Sequence, residues 1–442
     1  MTEQALFYLV YDILLALLAP FIFLYQFYRS LKRGRGVSGF AERFGLIDAE
    51  RLAPLGGREV IWIHAVSVGE TQAAKPLLKA LKDRFPGMRL VLSTVTETGR
   101  EVAEKIAEVD LCIYFPFDHG FAVRGALRRI KPSLVVIVET EIWPNFIRYA
   151  RKGGAPVVLA NGRISDRSFP RYLKLKGLFG PVLAGVDAFC MQSAEDARRI
   201  SAIGAPQERV FAAGNLKYDI AARILSVQER NAARNRYLIP PGMPVVVAAS
   251  THPGEEEAVI AAYRTLLAEG RSLFLILVPR HPERAGAVSE LLSRAGFPHG
   301  LRSRLSDRSA TFGPGEVLIV DTIGELMALY GAADLAFVGG SLVPVGGHNI
   351  LEPASLGLAM VFGPHMHNFR ESAALILERG GALQISEKGE LAAALRALLE
   401  DAEKRGEIGR RGASILEENS GATARHIGVI SDLQRARSQD EE

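Results

Sequence analysis

Two patterns of apolar and polar positions divide the chain. Residues 5–28 are almost wholly apolar or aromatic, broken only by Asp12, Pro20 and Gln26, and Arg29, Lys32, Arg33 and Arg35 follow at once. Beyond about residue 58, short β-branched runs alternate with amphipathic stretches. The runs 60–64, 90–94, 111–115, 134–139, 157–160 and 188–192 read as strands. Helices are expected between them at 71–82, 99–107 and 123–130. A polar, breaker-rich stretch over 219–244 interrupts the series, and strands are expected again at 245–249, 273–278, 316–320, 335–338 and 359–362. Alternation of this kind predicts parallel sheets covered by helices on both faces. The expected chain is therefore α/β: two doubly wound domains, 38–222 and 235–425, facing a cleft. An anchor helix over 4–28 would precede them, and residues 438–442 would fray.

The apolar stretch changes the picture most. It is long enough to cross a bilayer as a helix, and the basic cluster would stay cytoplasmic under the positive-inside rule. A cleaved signal peptide fits poorly, because no Lys or Arg precedes the run, the run is long, and no A-x-A site follows. Asp12 inside the run leaves a helix lying in the interface as the alternative. Both readings put the protein at a membrane. The rest of the composition is globular, with 48% hydrophobic and 23% charged residues. This excludes a disordered chain. The net charge of +4 suits an anionic partner without naming one. Two distant cysteines, Cys112 and Cys190, argue against a disulfide framework or a structural zinc site.

Ligands of doubly wound sheets sit outside the carboxyl ends of the strands, and the candidate chemistry lies there. His64-Ala-Val-Ser67-Val-Gly-Glu70 follows the first strand; Glu70 could take a proton from a hydroxyl or merely start a helix. Glu139-Thr-Glu141-Ile-Trp-Pro-Asn145 ends another strand, and two carboxylates at i and i+2 repel unless something uses them; exposed capping acids are the plainer alternative. Arg163 and Arg167 could clamp a carboxylate or phosphate, or line a basic surface loop. Lys217 could neutralise a leaving group or be a solvated hinge residue. In the second half, Pro279-Arg280-His281, Ile323-Gly324-Glu325 and Gly346-Gly347-His348-Asn349-Ile350-Leu351-Glu352 each follow a strand. Gly346 and Gly347 would let backbone N–H groups approach an anion at a helix beginning near Asn349, with Glu352 on a ribose. No Asp-x-Asp, Walker loop or GxGxxG is present, and His365 and His367 have no nearby Cys or Asp to complete a metal site.

The segments HAVSVGE, ETEIWPN, NGRISDRS, GNLKYD, VPRHPER, DTIGEL and GGHNILEP, in this order from about residue 38 to 420, resemble the Kdo (3-deoxy-D-manno-octulosonic acid) transferases of lipopolysaccharide synthesis. The resemblance implies a GT-B fold of two Rossmann-like domains, the first binding acceptor and the second CMP. It implies an inverting, metal-independent, cofactor-free transfer of Kdo from CMP-Kdo to a lipid A precursor, lipid IVA. It places the enzyme on the cytoplasmic face of the bacterial inner membrane, with no nucleic-acid partner. Glu70 falls on the family's general base, and Glu139 and Lys217 on positions that stabilise the transition state. Pro279, Arg280, Ile323, Gly324, Glu325, Asn349, Ile350, Leu351 and Glu352 fall on CMP contacts. Ser67, Glu141 and Arg163 are candidate acceptor or Kdo contacts. Gly162 departs from an expected Ala, which would add loop flexibility without removing a functional group. The basic residues 29–35 and 124–131 could face lipid phosphates. The rivals are a nucleotide-sugar epimerase of the same fold and a catalytically silent membrane scaffold.

Overall fold

The computed structural model describes residues 7–20, 39–220, 222–307 and 310–440. The chain divides into two units. The first comprises the described residues up to Asp219 together with those from Gly421 onward, and the second runs from Ile220 to Ser420. The expected second domain ran to 425, but the C-terminal helix Ala422–Asp440 belongs to the first unit. Asp219 caps it, accepting from the N–H groups of Gly421 at 2.8 Å and Thr423 at 2.6 Å. That helix includes residues 438–440, which were expected to fray; residues 441–442 lie outside the described residues.

The first unit is a seven-stranded parallel sheet: β1 (Val60–His64), β2 (Arg89–Thr94), β3 (Leu111–Tyr114), β4 (Pro132–Val138), β5 (Val157–Gly162), β6 (Ala188–Met191) and β7 (Val210–Ala212), in the order β3-β2-β1-β4-β5-β6-β7. All five residues of β1 are buried, as a strand covered on both faces requires. Residues on one face of the sheet, such as Trp62, Val135 and Leu159, pack in one core. Those on the other, such as Ile61, Ile63 and Val136, pack in a second core beneath the helix Val68–Arg84. The second unit repeats the plan with β8 (Val245–Thr251), β9 (Phe274–Pro279), β10 (His299–Leu301), β11 (Val317–Ile319), β12 (Leu335–Val338), β13 (Met360–Phe362) and β14 (Leu383–Gln384), in the order β10-β11-β9-β8-β12-β13-β14. In each sheet the chain builds outward from one central strand and then reverses. The reversal opens a crevice between β1 and β4 in the first unit and between β8 and β12 in the second.

Two expectations change. The breaker-rich stretch 219–244 holds a helix, Val227–Arg236, started by a Ser226/Glu229 capping box. Its polar residues are not linker solvation. Arg234 is buried and donates to Asp334 at 2.6 Å and to the Ala332 carbonyl at 3.0 Å, fastening the helix to the second unit. The N-terminal apolar stretch is described only for residues 7–20, which are helical; 21–28 and the basic residues 29–35 lie outside the described residues. Among the described residues no helix is long and apolar enough to cross a membrane. One face of residues 7–20 packs on the first unit. Tyr8 is buried, the Tyr11 hydroxyl donates to Asp118 at 2.9 Å, and Asp12 accepts from Asn145 Nδ2 at 2.6 Å. The acid that would have been costly in lipid is thus bonded to protein. Leu9, Val10, Ile13, Leu14, Leu17 and Leu18, one stripe at helical spacing, are exposed on the other face.

Candidate active site

In the first unit, β1 ends in the turn that starts the helix Val68–Arg84. Ser67 caps that helix, and Glu70, at its third position, folds back on the turn. One Glu70 oxygen accepts from the Val66 N–H at 2.6 Å and the other from the Ser67 hydroxyl at 3.0 Å. The helix-start reading of Glu70 therefore holds in the free protein. Yet only 9% of the residue is exposed. Burial raises its pKa, and the Val66 N–H opposes this. The Glu139 charge raises it further, while the Ser67 bond and Lys217 lower it.

Across the crevice β4 runs into Glu139-Thr140-Glu141. Glu139 holds φ 61°, a left-handed conformation that a non-glycine residue adopts only when its surroundings impose it. Its N–H donates to the Ala160 carbonyl at 2.8 Å, and its carboxylate meets Lys217 Nζ at 3.2 Å. Glu141 is pushed up to about 7, by burial first and then by the Glu70 and Glu139 charges. The repulsion expected of two carboxylates at i and i+2 is therefore met by one lysine and by a raised pKa. Three carboxylates and one ammonium share this end of the sheet.

The loop after β5 fastens this arrangement. The Thr140 hydroxyl and the Arg163 backbone bond each other, Arg163 N–H donating at 2.8 Å. Asn161, also left-handed at φ 56°, is buried. Its N–H donates to His426 Nε2 at 2.9 Å and its side-chain carbonyl accepts from the Leu216 N–H at 3.0 Å. Gln192 and Asn215 extend the chain of bonds to the turn that carries Lys217. In the sequence, an Asn before Gly at a strand end is the available signal for the left-handed position of Asn161. His426, from the far end of the chain, gave none. Arg163 and Arg167 are both exposed. Gly162 lies in the buried end of β5, where a Cβ would fall 2.3 Å from a Leu159 methyl and 2.6 Å from Met191 Sδ. It is thus a packing position and not a source of loop flexibility.

In the second unit, Arg280 is exposed after β9, with its N–H on the Thr251 carbonyl at 3.0 Å. Ile323 is 86% exposed, and Gly324 turns the chain at φ 89°. Glu325 is already paired. Arg302 grips it with two bonds of 2.7 Å, and Arg236 and Thr322 add bonds at 3.0 and 2.9 Å. Burial alone would raise its pKa, but Arg302, Thr322 and Arg236 outweigh burial and hold it below the ordinary carboxylate value. Ile350 and Leu351 are core residues, so only their backbone faces outward chemistry. Asn349 and Glu352 bond each other at 3.1 Å, and both stay partly exposed.

The glycine-rich loop does not form the expected anion cradle. The N–H groups of Gly346 and Gly347 donate to the Gly340 carbonyl at 3.2 and 2.7 Å, and the helix that follows is only Leu351–Ser355. The buried carboxylate of Glu255, which reading the sequence missed, takes the N–H groups of Gly340, Ser341 and Leu342 at 2.7, 3.0 and 2.9 Å, and that of His252 at 3.0 Å. Gly339 is required where it stands, because a Cβ there would lie 2.5 Å from the carbonyl oxygen of Ser250. Among the described residues no group of three or more His, Cys, Asp or Glu is placed to hold a metal ion.

The family model of the 3-deoxy-D-manno-octulosonic-acid transferases (kdotransferases) matches residues 38–220. A 3-deoxy-D-manno-octulosonic acid transferase of Haemophilus influenzae is 35% identical, covering 95% of this chain and 97% of the relative. One of Bordetella pertussis is 34% identical, covering 96% and 98%. Among solved structures, Acinetobacter baumannii MurG shares the fold, with a TM-score of 0.52 and 15% identity over 85% of this chain and 99% of that one. The two Rossmann-like units expected of a GT-B chain are both present. On these grounds the chain belongs to the 3-deoxy-D-manno-octulosonic acid transferase family, and it is a glycosyltransferase.

Proposed function

We propose that this protein transfers Kdo from CMP-Kdo to lipid IVA, a lipid A precursor, with inversion and without a metal. The reading rests above all on the buried Glu70 facing Glu139, Glu141 and Lys217 at the switch point of the first unit. An inverting transfer needs a base for the attacking hydroxyl and cations for the departing phosphate. Glu70 takes the hydroxyl proton as the hydroxyl oxygen bonds the anomeric carbon. The bond from that carbon to the phosphate breaks, and its electron pair leaves with CMP. Glu139 stabilises the positive charge that develops at the sugar, Lys217 neutralises charge on the leaving group, and Ser67, Glu141 and Arg163 contact Kdo or acceptor.

The first unit then takes the acceptor and the second takes CMP. Arg280 would meet the phosphate. Pro279, Ile323, Gly324 and Glu325 would line the nucleotide, with Glu325 contributing backbone because its carboxylate is held by Arg302. Asn349 and Glu352 offer side chains to the ribose, and Ile350 and Leu351 offer backbone only.

The enzyme works at the cytoplasmic face of the inner membrane, with the helix over 7–20 lying in the interface. Its docked Asp12 and exposed leucine stripe support this attachment.

The test is CMP release from CMP-Kdo by purified protein, with and without lipid IVA. The reading expects release that requires the lipid and a lipid product heavier by one Kdo or more. Release indifferent to the lipid would refute the acceptor, and equal use of other nucleotide sugars would refute the donor.

A further inference from the structure

His252 and His348 have no part in the reading above, yet they come from the two strands that flank the crevice of the second unit. His252 follows β8 directly, and His348 lies in the loop that follows β12. Their rings are parallel within 2°, with centroids 5.1 Å apart, and their Nε2 atoms are 2.8 Å apart. Two bare ring nitrogens would repel at that distance, so a proton lies between them, one Nε2–H donating to the other Nε2. The donating ring then has a bare Nδ1. A second proton can enter there and make the pair a cation.

Backbone donors beside the pair are committed elsewhere. Gly340, Ser341 and Leu342 serve Glu255, and Gly346 and Gly347 serve Gly340. An anion beside these committed donors meets side chains instead. Arg280 and His281, which follow the neighbouring strand β9, face the pair, and the His281 ring lies 6.1 Å from that of His252.

We propose that His252 and His348 form a proton-sharing receptor for the donor's phosphate, neutral in the empty crevice and taking up one proton when the phosphate binds. The proposal deepens, and rests on, the reading of CMP-Kdo as donor. Without a ligand the surroundings keep the pair uncharged. Burial, then Arg280, His252 and His281 lower His348 to about 4. Burial also lowers His252, which Glu255 and Glu256 raise and His281 and Arg280 lower. Glu255 is spent on the loop N–H groups and Glu256 is paired with Arg284 at 2.6 Å, so neither offsets Arg280 fully. Lys388 approaches from Gly254 and His367 from Gly346, adding no negative charge. A bound phosphate reverses this balance. It cancels Arg280 and draws a solvent proton onto the pair. When the glycosidic bond breaks, the electron pair passes to the phosphate, whose added charge holds that proton more tightly. The pair thus favours the departing state over the bound donor.

The experiment is calorimetric titration of the full chain at about pH 6.5 and about pH 8, in buffers of different ionisation enthalpy, which counts protons taken up. The probes are CMP, its methyl phosphodiester (which does not titrate in this range) and cytidine. Wild type is expected to take up about half a proton or more with the phosphodiester at the lower pH. Its affinity should be about threefold to tenfold higher at about pH 6.5 than at about pH 8, while that for cytidine stays flat. His348→Gln and His252→Gln should each lose the uptake and the pH dependence but keep cytidine binding. Phosphodiester binding by wild type without proton uptake would overturn the proposal, as would either variant keeping the wild-type profile. Failure of wild type to bind CMP in preference to other nucleotides would instead overturn the donor reading.

Discussion

In the first unit the strands flanking the switch point, β1 and β4, lead into carboxylates, Glu70 and Glu139. In the second, β8 and β12 lead into imidazoles, His252 and His348. The frames match closely. Each sheet has seven parallel strands that reverse beside a central one, and each holds a non-glycine residue at positive φ by the crevice, Glu139 in one and Ser250 in the other. An opposite charge in each differs in use. Lys217 is half-buried and faces three carboxylates, whereas Glu255 is fully buried and consumed by four backbone donors. On the proposed reading, one frame serves deprotonation in one copy and anion binding in the other. The frame sets where chemistry happens, and the side chains set which chemistry.

Substitutions can break this contrast, and Glu70→Gln should do so most severely. It removes the base, and turnover should fall about a thousandfold, within the usual range for a general base, with CMP affinity unchanged by titration. Glu255→Gln should be next. Replacing a buried acceptor of four N–H groups should destabilise the second unit by about 2–4 kcal/mol in denaturant unfolding, leaving the first unit's transition in place. Arg280→Ala should weaken CMP binding about tenfold to a hundredfold, read by titration, and leave cytidine binding nearly untouched.

The smallest effects are the sharpest. Glu139 raises the Glu70 pKa and Lys217 lowers it. The base works only when deprotonated, so its pKa sets the acid limb of kcat/KM. Glu139→Gln should therefore move that limb to lower pH, and Lys217→Ala should move it to higher pH, each by about half a unit to one unit. Shifts in the same direction would refute the coupling.

The two units were unequally legible in the sequence, for physical reasons. Strands with neighbours on both sides are buried and lie in apolar runs that the sequence shows. The three that it does not show, Val210–Ala212, His299–Leu301 and Leu383–Gln384, all lie at sheet edges and have no buried residue, so burial imposes no apolar run there. The carboxylates and Lys217 of the first crevice were legible because charge at a strand end stands out. The second crevice was misread where backbone bonding decides the outcome. Gly346 and Gly347 suggested open N–H groups, but the fold closes them on Gly340. Glu255 is one of three successive acids at a helix start, Glu255 to Glu257, and only the fold shows that Glu255 and Glu256 turn inward. His252 and His348 are 96 residues apart, so no local pattern could pair them.

The division of labour between the crevices is tested most directly by measuring CMP binding and lipid-dependent CMP release on the same preparations of Glu70→Gln and Arg280→Ala. The account predicts that Glu70→Gln binds CMP like wild type and releases almost none from CMP-Kdo, while Arg280→Ala binds CMP weakly and recovers part of its turnover at high donor concentration. Loss of CMP binding in Glu70→Gln, or full turnover by it, would contradict the account.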